Sequence, residues 1–349
     1  MKKFAIAVAA ILLCAVGATA VNTCTPGTPK VYGSLTIDTM TVDFGNDVGK
    51  YVRCVAYFDD KSPNRDSTIS VPDTEYVEHI IYHRDFSGNT YGTVMFPFES
   101  TLFGGDGLQL FGANVYKFVM LKRYCPQCVV QAIVDEVKRA DTLEANTPYI
   151  VKVGGVEGAS QIEFRQTYEN FLKVPSYPLS TKGGNNGVVV SEDEDSKGWK
   201  FVGTYSYKKW VAGDKDLGRV YGYAAEKREA TDGKKKVSVG DFVKGSAGAF
   251  IRPMRAYFCN NCATGKFVGM KAAAKPEETA SLDEELPEKI EIVIRGSDGD
   301  LTPIGVMNTR TGEISTDDNL WFDMKGRKLD KKPTAKGTYY NKGQKVVIK

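Results

Sequence analysis

The chain has 349 residues, of which 42% are hydrophobic and 11% aromatic, which is enough to build two or three domains with sizeable cores. Lys and Arg number 46 against 43 Asp and Glu, and this nearly neutral balance lacks the basic footprint of a nucleic-acid-binding protein. With 35 Gly, 18 Tyr and 17 Phe, the composition favours strands and turns over helices.

The N-terminus has the three parts of a secretory signal peptide. A basic head at 1–3 precedes an apolar run at 4–16, and small residues follow at 17–20, where a signal peptidase would cut. The apolar run is shorter than the roughly 20 residues that a membrane-spanning helix needs. We therefore expect cleavage of the signal peptide 1–20, export, and no transmembrane segment in the mature chain.

Residues 21–69 form the first predicted β segment. Apolar side chains occupy both alternating faces over 51–58, which is typical of a strand buried on both sides. The polar stretch 59–67 contains a proline and predicts a loop.

The region 70–270 contains short apolar runs separated by turn residues at intervals of about 8 to 12 positions, as in β-sandwiches and barrels. It is therefore predicted to form one or more β-rich modules. Its clearest strand candidates are 80–82, 93–98, 149–153, 201–207 and 249–258.

Residues 271–288 differ from the rest of the chain, because they are rich in Ala and acidic residues and have no apolar periodicity. This composition predicts an exposed acidic linker. Residues 289–349 then form a predicted small C-terminal β domain, since isoleucines alternate with charged residues over 290–294 and Asp298-Gly299 is a hairpin-turn signal. The predicted fold class is all-β, with two or more antiparallel β-sandwich-like modules and this C-terminal unit.

Loss of Cys14 with the signal peptide leaves an even number of cysteines, which in an exported chain indicates disulfides. If each Cys-x-x-Cys pair closes on itself, Cys24 and Cys54 remain as partners. The same spacing occurs in zinc knuckles. Cys125-Pro126-x-Cys128, followed by apolar residues at helical spacing, also has the form of a thioredoxin-type redox site. All three interpretations stay open for the disulfide candidates, which are Cys24, Cys54, Cys125, Cys128, Cys259 and Cys262.

Five short motifs occur in order between residues 71 and 260. They are Met95-Phe-Pro-Phe98, Leu143-Glu-Ala-Asn-Thr-Pro-Tyr-Ile-Val-Lys152, Gly203-Thr-Tyr205, Gly240-Asp-Phe-Val243 and Arg255-Ala-Tyr-Phe258. Their order resembles a β-rich module of secreted and surface proteins of Bacteroidetes and Fibrobacter-type bacteria. The resemblance implies export and surface display, and it carries no assigned activity.

The end of the chain carries three further motifs. They are Trp321-Phe-Asp-Met-Lys-Gly-Arg-Lys328, Lys336-Gly-Thr-Tyr-Tyr340 and Lys345-Val-Val-Ile-Lys349. They are similar to the C-terminal β-sandwich tails that the same bacteria use as secretion or sorting signals, although the Asn-Pro opening of those tails is missing. The resemblance implies a sorting-domain-like tail.

The two histidines occur together in Glu78-His79-x-x-x-His83. On a strand, His79, Ile81 and His83 share a face, and Glu78 or Asp85 would supply a third metal ligand. The β-branched surroundings favour ordinary surface histidines on a half-exposed strand, so we predict no metal site. A hydrolytic triad needs a histidine base beside an acid and a nucleophile, and the sequence shows no such constellation.

An aromatic group between 199 and 210 is the best candidate for ligand binding. On a strand, Trp199, Tyr205 and Tyr207 would share one face, with Trp210 opposite. Exposed aromatic rings of this kind stack on sugars, so these four residues are a candidate glycan-binding site. The same residues equally suit a β-sheet core, and both interpretations stay open.

These observations predict an exported, non-catalytic structural or adhesive protein, secreted or held on the outer cell surface, with the periplasm as the alternative location. Its expected partners are cell-surface components or polysaccharide, and no cofactor is expected. One alternative is a carbohydrate-binding accessory protein of a polysaccharide-degrading bacterium. A third is a glycoside-active enzyme that uses a pair of carboxylates.

Overall fold

A computed structural model gives the fold, which is all-β in the described part of the chain and includes one short 3-10 helix, η1 (Glu194–Ser196). The predicted fold class is confirmed at this level. The predicted signal peptide 1–20 and the acidic linker 271–288 lie outside the described residues. The described residues are 24–43, 49–86, 91–103, 107–124, 129–154, 160–166, 176–183, 187–223, 242–245, 247–262, 289–296, 301–308, 314–315, 321–323, 328–329, 333–341 and 344–348.

The strands range from 2 to 12 residues in length. In chain order they are β1 (Lys30–Tyr32), β2 (Leu35–Asp43), β3 (Lys50–Asp59), β4 (Glu75–Val77), β5 (His79–His83), β6 (Tyr91–Met95), β7 (Ser100–Thr101), β8 (Leu108–Phe111), β9 (Ala113–Tyr124), β10 (Val129–Glu136), β11 (Thr142–Leu143), β12 (Pro148–Val153), β13 (Glu163–Gln166), β14 (Tyr177–Leu179), β15 (Val188–Val190), β16 (Trp199–Thr204), β17 (Lys208–Lys209), β18 (Val220–Tyr223), β19 (Phe242–Lys244), β20 (Phe250–Ile251), β21 (Arg255–Asn260), β22 (Lys289–Arg295), β23 (Leu301–Asn308), β24 (Ile314–Ser315), β25 (Trp321–Asp323), β26 (Lys328–Leu329), β27 (Gly337–Asn341) and β28 (Gln344–Ile348).

Within the described ranges these strands form seven sheets. The central sheet has the order β24-β23-β22-β10-β9-β12-β6, and the aromatic sheet has the order β15-β16-β21-β18-β19. The N-terminal sheet is β1-β2-β3-β5, the small sheet is β11-β7-β8-β13, and the tail sheet is β26-β25-β27-β28. Two-stranded pairs β14-β4 and β17-β20 complete the set. The sandwich-like arrangement of modules stays a prediction.

Strand β9 of the central sheet packs against neighbours on both faces, since successive side chains of a strand point to opposite sides. Along β9, Val115 packs into one core with Phe58 of the N-terminal sheet. Phe118 points the other way, and its ring centroid lies 5.2 Å from that of Phe258 and 6.0 Å from that of Phe201 in the aromatic sheet. The central sheet therefore links two cores. Each fully buried ring contributes about 1.5–3 kcal/mol to the stability of the fold.

Strand β22 joins the central sheet in parallel to β10, in a register that runs from Val130 opposite Ile290 to Asp135 opposite Arg295. Arg295 donates hydrogen bonds of 2.8 and 2.6 Å to the two carboxylate oxygens of Asp135. The first strand of the predicted C-terminal unit therefore belongs to the same sheet as β10. β22, β23 and β24 extend the central sheet, whereas β25 to β28 form the separate tail sheet.

The hairpin of β2 and β3 is only partly covered by neighbours. β1 pairs with Leu35–Ile37 of β2, and β5 pairs with Val55–Asp59 of β3. The prediction of a strand buried on both sides thus holds from Cys54 to Phe58, whereas Tyr51 and Val52 are exposed. The far half of this hairpin lies beyond both flanking strands.

Candidate functional site

The first predicted cysteine pair is a disulfide. Cys24 and Cys54 are bonded, with their Cα atoms 5.5 Å apart. The amide of Cys54 donates a 2.6 Å hydrogen bond to Oε2 of Glu78, and the amide of Glu78 donates a 2.8 Å bond to the Cys54 carbonyl. The disulfide therefore fastens the first described residue of the chain to a buried, hydrogen-bonded position of the N-terminal sheet.

The second pair, Cys259 and Cys262, is also bonded, with a Cα separation of 5.9 Å. Both residues are buried beside Trp210 and Tyr257 in a third apolar cluster. The asparagine at 261 supports the tight reversal, because its φ of 45° lies in the left-handed region that Asn tolerates.

The remaining pair, Cys125 and Cys128, lies outside the described residues. The helix that a thioredoxin-type site needs after this motif is not formed, because Val129–Glu136 is strand β10. Helical spacing of its apolar residues was misleading here, since hydrogen bonding to β9 and β22 on both sides overrides a weak local preference.

The histidines lie on strand β5, where they alternate with the buried residues Ile80 and Tyr82. His79 and His83 share the half-exposed face, as predicted. Nδ1 of His83 lies 3.1 Å from Oδ1 of Asp59 and 3.2 Å from the Tyr57 hydroxyl. No group of three metal-ligating side chains forms among the residues that the structure describes.

The predicted glycan-binding aromatic residues are core residues. Trp199, Tyr205 and Trp210 are 7%, 4% and 2% exposed and belong to three different clusters. The prediction of one shared strand face is wrong, because β16 ends at Thr204 and the chain turns there. Only Tyr207 of the four is half-exposed, and its ring stacks on Phe250 with centroids 5.7 Å apart.

Asn146 is the centre of a buried polar junction. It has a φ of 57°, and its amide donates a 2.7 Å hydrogen bond to the carbonyl of Phe96. Its carbonyl accepts a 3.0 Å bond from the amide of Gly187, and its Nδ2 donates a 3.1 Å bond to the carbonyl of Lys182. The Tyr205 hydroxyl donates a 2.8 Å bond to its Oδ1. Every polar group of Asn146 thus connects a different segment.

Four of the five motifs that carry the resemblance lie close to this junction, whereas Phe242 and Val243 of the other motif pair with β18. The amide of Met95 donates a 3.2 Å hydrogen bond to the carbonyl of Met254, and Gly203 pairs with Ala256 across the aromatic sheet. The side chain of Met95 lies against Gly203 and leaves no room for a Cβ atom there. The described residues of these four motifs therefore have a structural role, because they hold neighbouring segments together.

Buried charges tie the N-terminal sheet to β21. Asp60 accepts a 2.6 Å hydrogen bond from Nη2 of Arg255 and lies 4.0 Å from Nε of Arg84. Arg84 also donates a 3.1 Å bond to the carbonyl of Thr93. Burial, together with the neighbouring Arg84, lowers the pKa of Arg255 to about 10, and Asp60 opposes this effect. Asp60 therefore lies beside two buried guanidinium groups, an arrangement that sequence analysis missed because its members are distant in the chain.

A different set of aromatic residues is exposed. Phe103 is 50% exposed, and its ring centroid lies 6.0 Å from that of Phe111 in an edge-to-face arrangement. Cζ of Arg139 lies 5.6 Å from the Phe103 ring, and Cζ of Arg165 lies 4.8 Å from the Phe111 ring. Glu163 pairs with Arg165 at 2.7 Å. These five residues form the Phe103 cluster, which the sequence does not mark because they come from separated segments.

Comparisons with known proteins return no matching family model, curated protein or solved structure. Among the described residues, no helix has the length and apolar character required to cross a membrane.

Proposed function

We propose that the protein is an exported, non-catalytic component of the cell surface with a structural or adhesive role. The observation that carries the proposal is the disulfide between Cys24 and Cys54, since disulfides form and persist in oxidising compartments. The signal-peptide pattern of residues 1–20 supports the same compartment.

The buried polar side chains support a structural role, because they hold segments together. Glu75 is 5% exposed and accepts hydrogen bonds of 3.0 and 2.9 Å from Nζ of Lys30 and of 2.6 Å from the Tyr32 hydroxyl. Glu78 binds the amide of Cys54, and Asn146 joins four segments. Groups of this kind lock one arrangement of sheets when they are fully satisfied.

The tail sheet supports the proposed sorting function of the C-terminus. Its strands include the described parts of the three tail motifs, and β27 pairs with both β25 and β28. Trp321 is buried, so the described part of the tail has a packed side. We propose that the tail sheet is a surface-sorting unit.

Protease treatment of intact producing cells tests the location. The expected result is digestion of the protein while a cytosolic marker stays intact. A variant that lacks residues 321–349 should accumulate inside the cell, whereas the variant Lys345→Gln, which changes one tail residue, should be exported normally. Protection of the full chain until the cells are lysed would overturn surface exposure.

The adhesive role is tested separately, with beads that carry the purified mature protein. We expect the beads to bind to the producing cells or to their extracellular matrix more strongly than beads that carry an unrelated exported protein. The carbohydrate-binding alternative no longer has support from Trp199, Tyr205 and Trp210, because their rings are buried.

A further inference from the structure

We propose that the Phe103 cluster is a binding surface for an acidic polysaccharide. The inference rests on the proposed adhesive function and names the partner of that function. It is carried by an exposed aromatic ring, by two guanidinium groups beside it, and by a rigid support beneath them.

The ring of Phe103 supplies an apolar face. Half of this side chain is in contact with solvent, and its edge-to-face contact with Phe111 fixes the ring orientation. The C–H face of a pyranose ring is apolar and flat, so it stacks on such a surface. The hydroxyl groups of the sugar remain in water around the rim.

The two arginines supply the charge complementarity. Arg139 contacts the ring of Phe103, and within the described residues no carboxylate pairs with it. Arg165 contacts the ring of Phe111 and also pairs with Glu163, to whose Oε2 it donates hydrogen bonds of 3.1 and 2.7 Å. A planar guanidinium binds a carboxylate through two parallel hydrogen bonds, and it does so while it remains stacked on an aromatic ring. A uronic acid unit offers both matching elements, a carboxylate and a flat ring.

The Phe103 cluster is held in place by a backbone hydrogen bond and by the small sheet. The amide of Phe103 donates a 2.6 Å hydrogen bond to the carbonyl of Arg139, which connects the two neighbouring loops. Phe111 lies opposite Glu163 in the pairing of β8 with β13. On the other side of the small sheet, Leu110 and Phe164 are buried in the core. Little side-chain or loop ordering is therefore needed on binding, which favours affinity.

The nearly neutral charge of the chain favours an acidic glycan over a nucleic acid as the ligand of the Phe103 cluster. The chain as a whole is almost neutral, whereas nucleic-acid binding needs an extended basic surface. A polymer with one carboxylate per sugar engages the cluster with a single unit and gains further affinity when many copies of the protein bind the same polymer.

Native electrophoresis in gels that contain polygalacturonate tests the inference. We expect the polymer to retard the wild-type protein, and the fully methyl-esterified polymer, which has the same sugar rings without the charge, to retard it far less. Phe103→Ala and Arg139→Gln should each weaken binding about tenfold, which corresponds to about 1.4 kcal/mol. Arg139→Lys should recover part of the loss, because it restores the charge but not the planar geometry. Val211→Ala is the matched control, since Val211 is 54% exposed.

The test separates this inference from the proposed function. Equal mobility of the wild type and the Phe103→Ala/Arg139→Gln double variant in polygalacturonate gels would overturn the binding surface, as would equal retardation by both polymers. All substituted side chains are exposed or half-exposed, so unchanged thermal unfolding verifies that each variant folds. A chain that is digested on intact cells but not retarded by polygalacturonate refutes the glycan surface alone. A chain that is retarded but protected in intact cells refutes surface display instead.

Discussion

The hydroxyl of Tyr205 donates a 2.8 Å hydrogen bond to Oδ1 of Asn146, and the bond joins the chain after β16 to the turn before β12. Burial raises the pKa of Tyr205 well above its ordinary value, so the hydroxyl keeps its proton over the whole neutral range. The same tyrosine accepts a 2.8 Å bond at its carbonyl from the amide of Ile69. Tyr205 and Asn146, which in the sequence look like an ordinary aromatic and an ordinary turn residue, thus join three segments, those around Ile69, Asn146 and Tyr205.

Removal of this hydroxyl should destabilise the protein. In Tyr205→Phe, Oδ1 of Asn146 stays buried without its donor, which costs about 1–3 kcal/mol. Urea unfolding measures the difference. Tyr207→Phe is the control, because Tyr207 is half-exposed and should change stability by less than about 0.5 kcal/mol. Equal effects of the two substitutions would contradict the role of the junction.

The disulfide between Cys24 and Cys54 should contribute to stability by restricting the unfolded chain. It closes a loop with a sequence separation of 30, for which the loop-entropy relation gives about 3–4 kcal/mol. The double variant Cys24→Ser/Cys54→Ser should therefore unfold at a lower urea concentration. Mass spectrometry of the unreduced wild type provides the control, and a free thiol at either position would refute the pairing.

Asp60 should be more important for stability than its position near the surface implies. In Asp60→Asn, the buried guanidinium group of Arg255 loses the carboxylate to which it donates a 2.6 Å hydrogen bond, which costs about 3–5 kcal/mol. Asp66→Asn is the matched control. Asp66 pairs with Arg252 at 2.7 Å but is 49% exposed, so its loss should cost about 1 kcal/mol or less. Similar unfolding midpoints for the two variants would show that Asp60 does not hold this cluster.

Alkaline pH should destabilise the fold through its tyrosines. Burial is the main cause that raises the pKa of Tyr32, Tyr149 and Tyr177 to about 12, from 10.0. Between these values the unfolded chain loses protons that the folded chain keeps, so stability falls as pH rises from 10 to 12. The contribution is fully present below pH 10. Urea unfolding across this range, with tyrosinate absorbance followed in parallel, measures the effect.

Local patterns in the sequence predicted much of the all-β fold. Short apolar runs mark strands such as Pro148–Val153, which the sequence predicts as 149–153, and an even number of cysteines led to the pairing of Cys24 with Cys54. The pattern around Ile133 failed, because period-2 and period-3.6 spacings look alike over a short apolar run. The pairing of β10 with β22 could not be predicted from the sequence. The register between distant strands depends on tertiary packing, which a local sequence pattern does not reveal.

The sites were harder to predict than the strands. Trp199 and Trp210 belong to aromatic-rich stretches that suit a core and a surface equally well, and only tertiary packing, which buries them in two different clusters, decides between them. Phe103 and Arg139 form a surface through contacts between loops, so neither residue stands out in its own segment.

The parallel pairing of β10 with β22 has a consequence for how the chain matures. Synthesis from the N-terminus delivers β10 long before β22, so one edge of the central sheet stays unpaired until Lys289–Arg295 is available. Exposed strand edges recruit other strands, and parallel pairings between distant segments form slowly. The nascent protein is therefore most prone to aggregate before β22 pairs, and a chaperone that shields Val129–Glu136 would raise its yield.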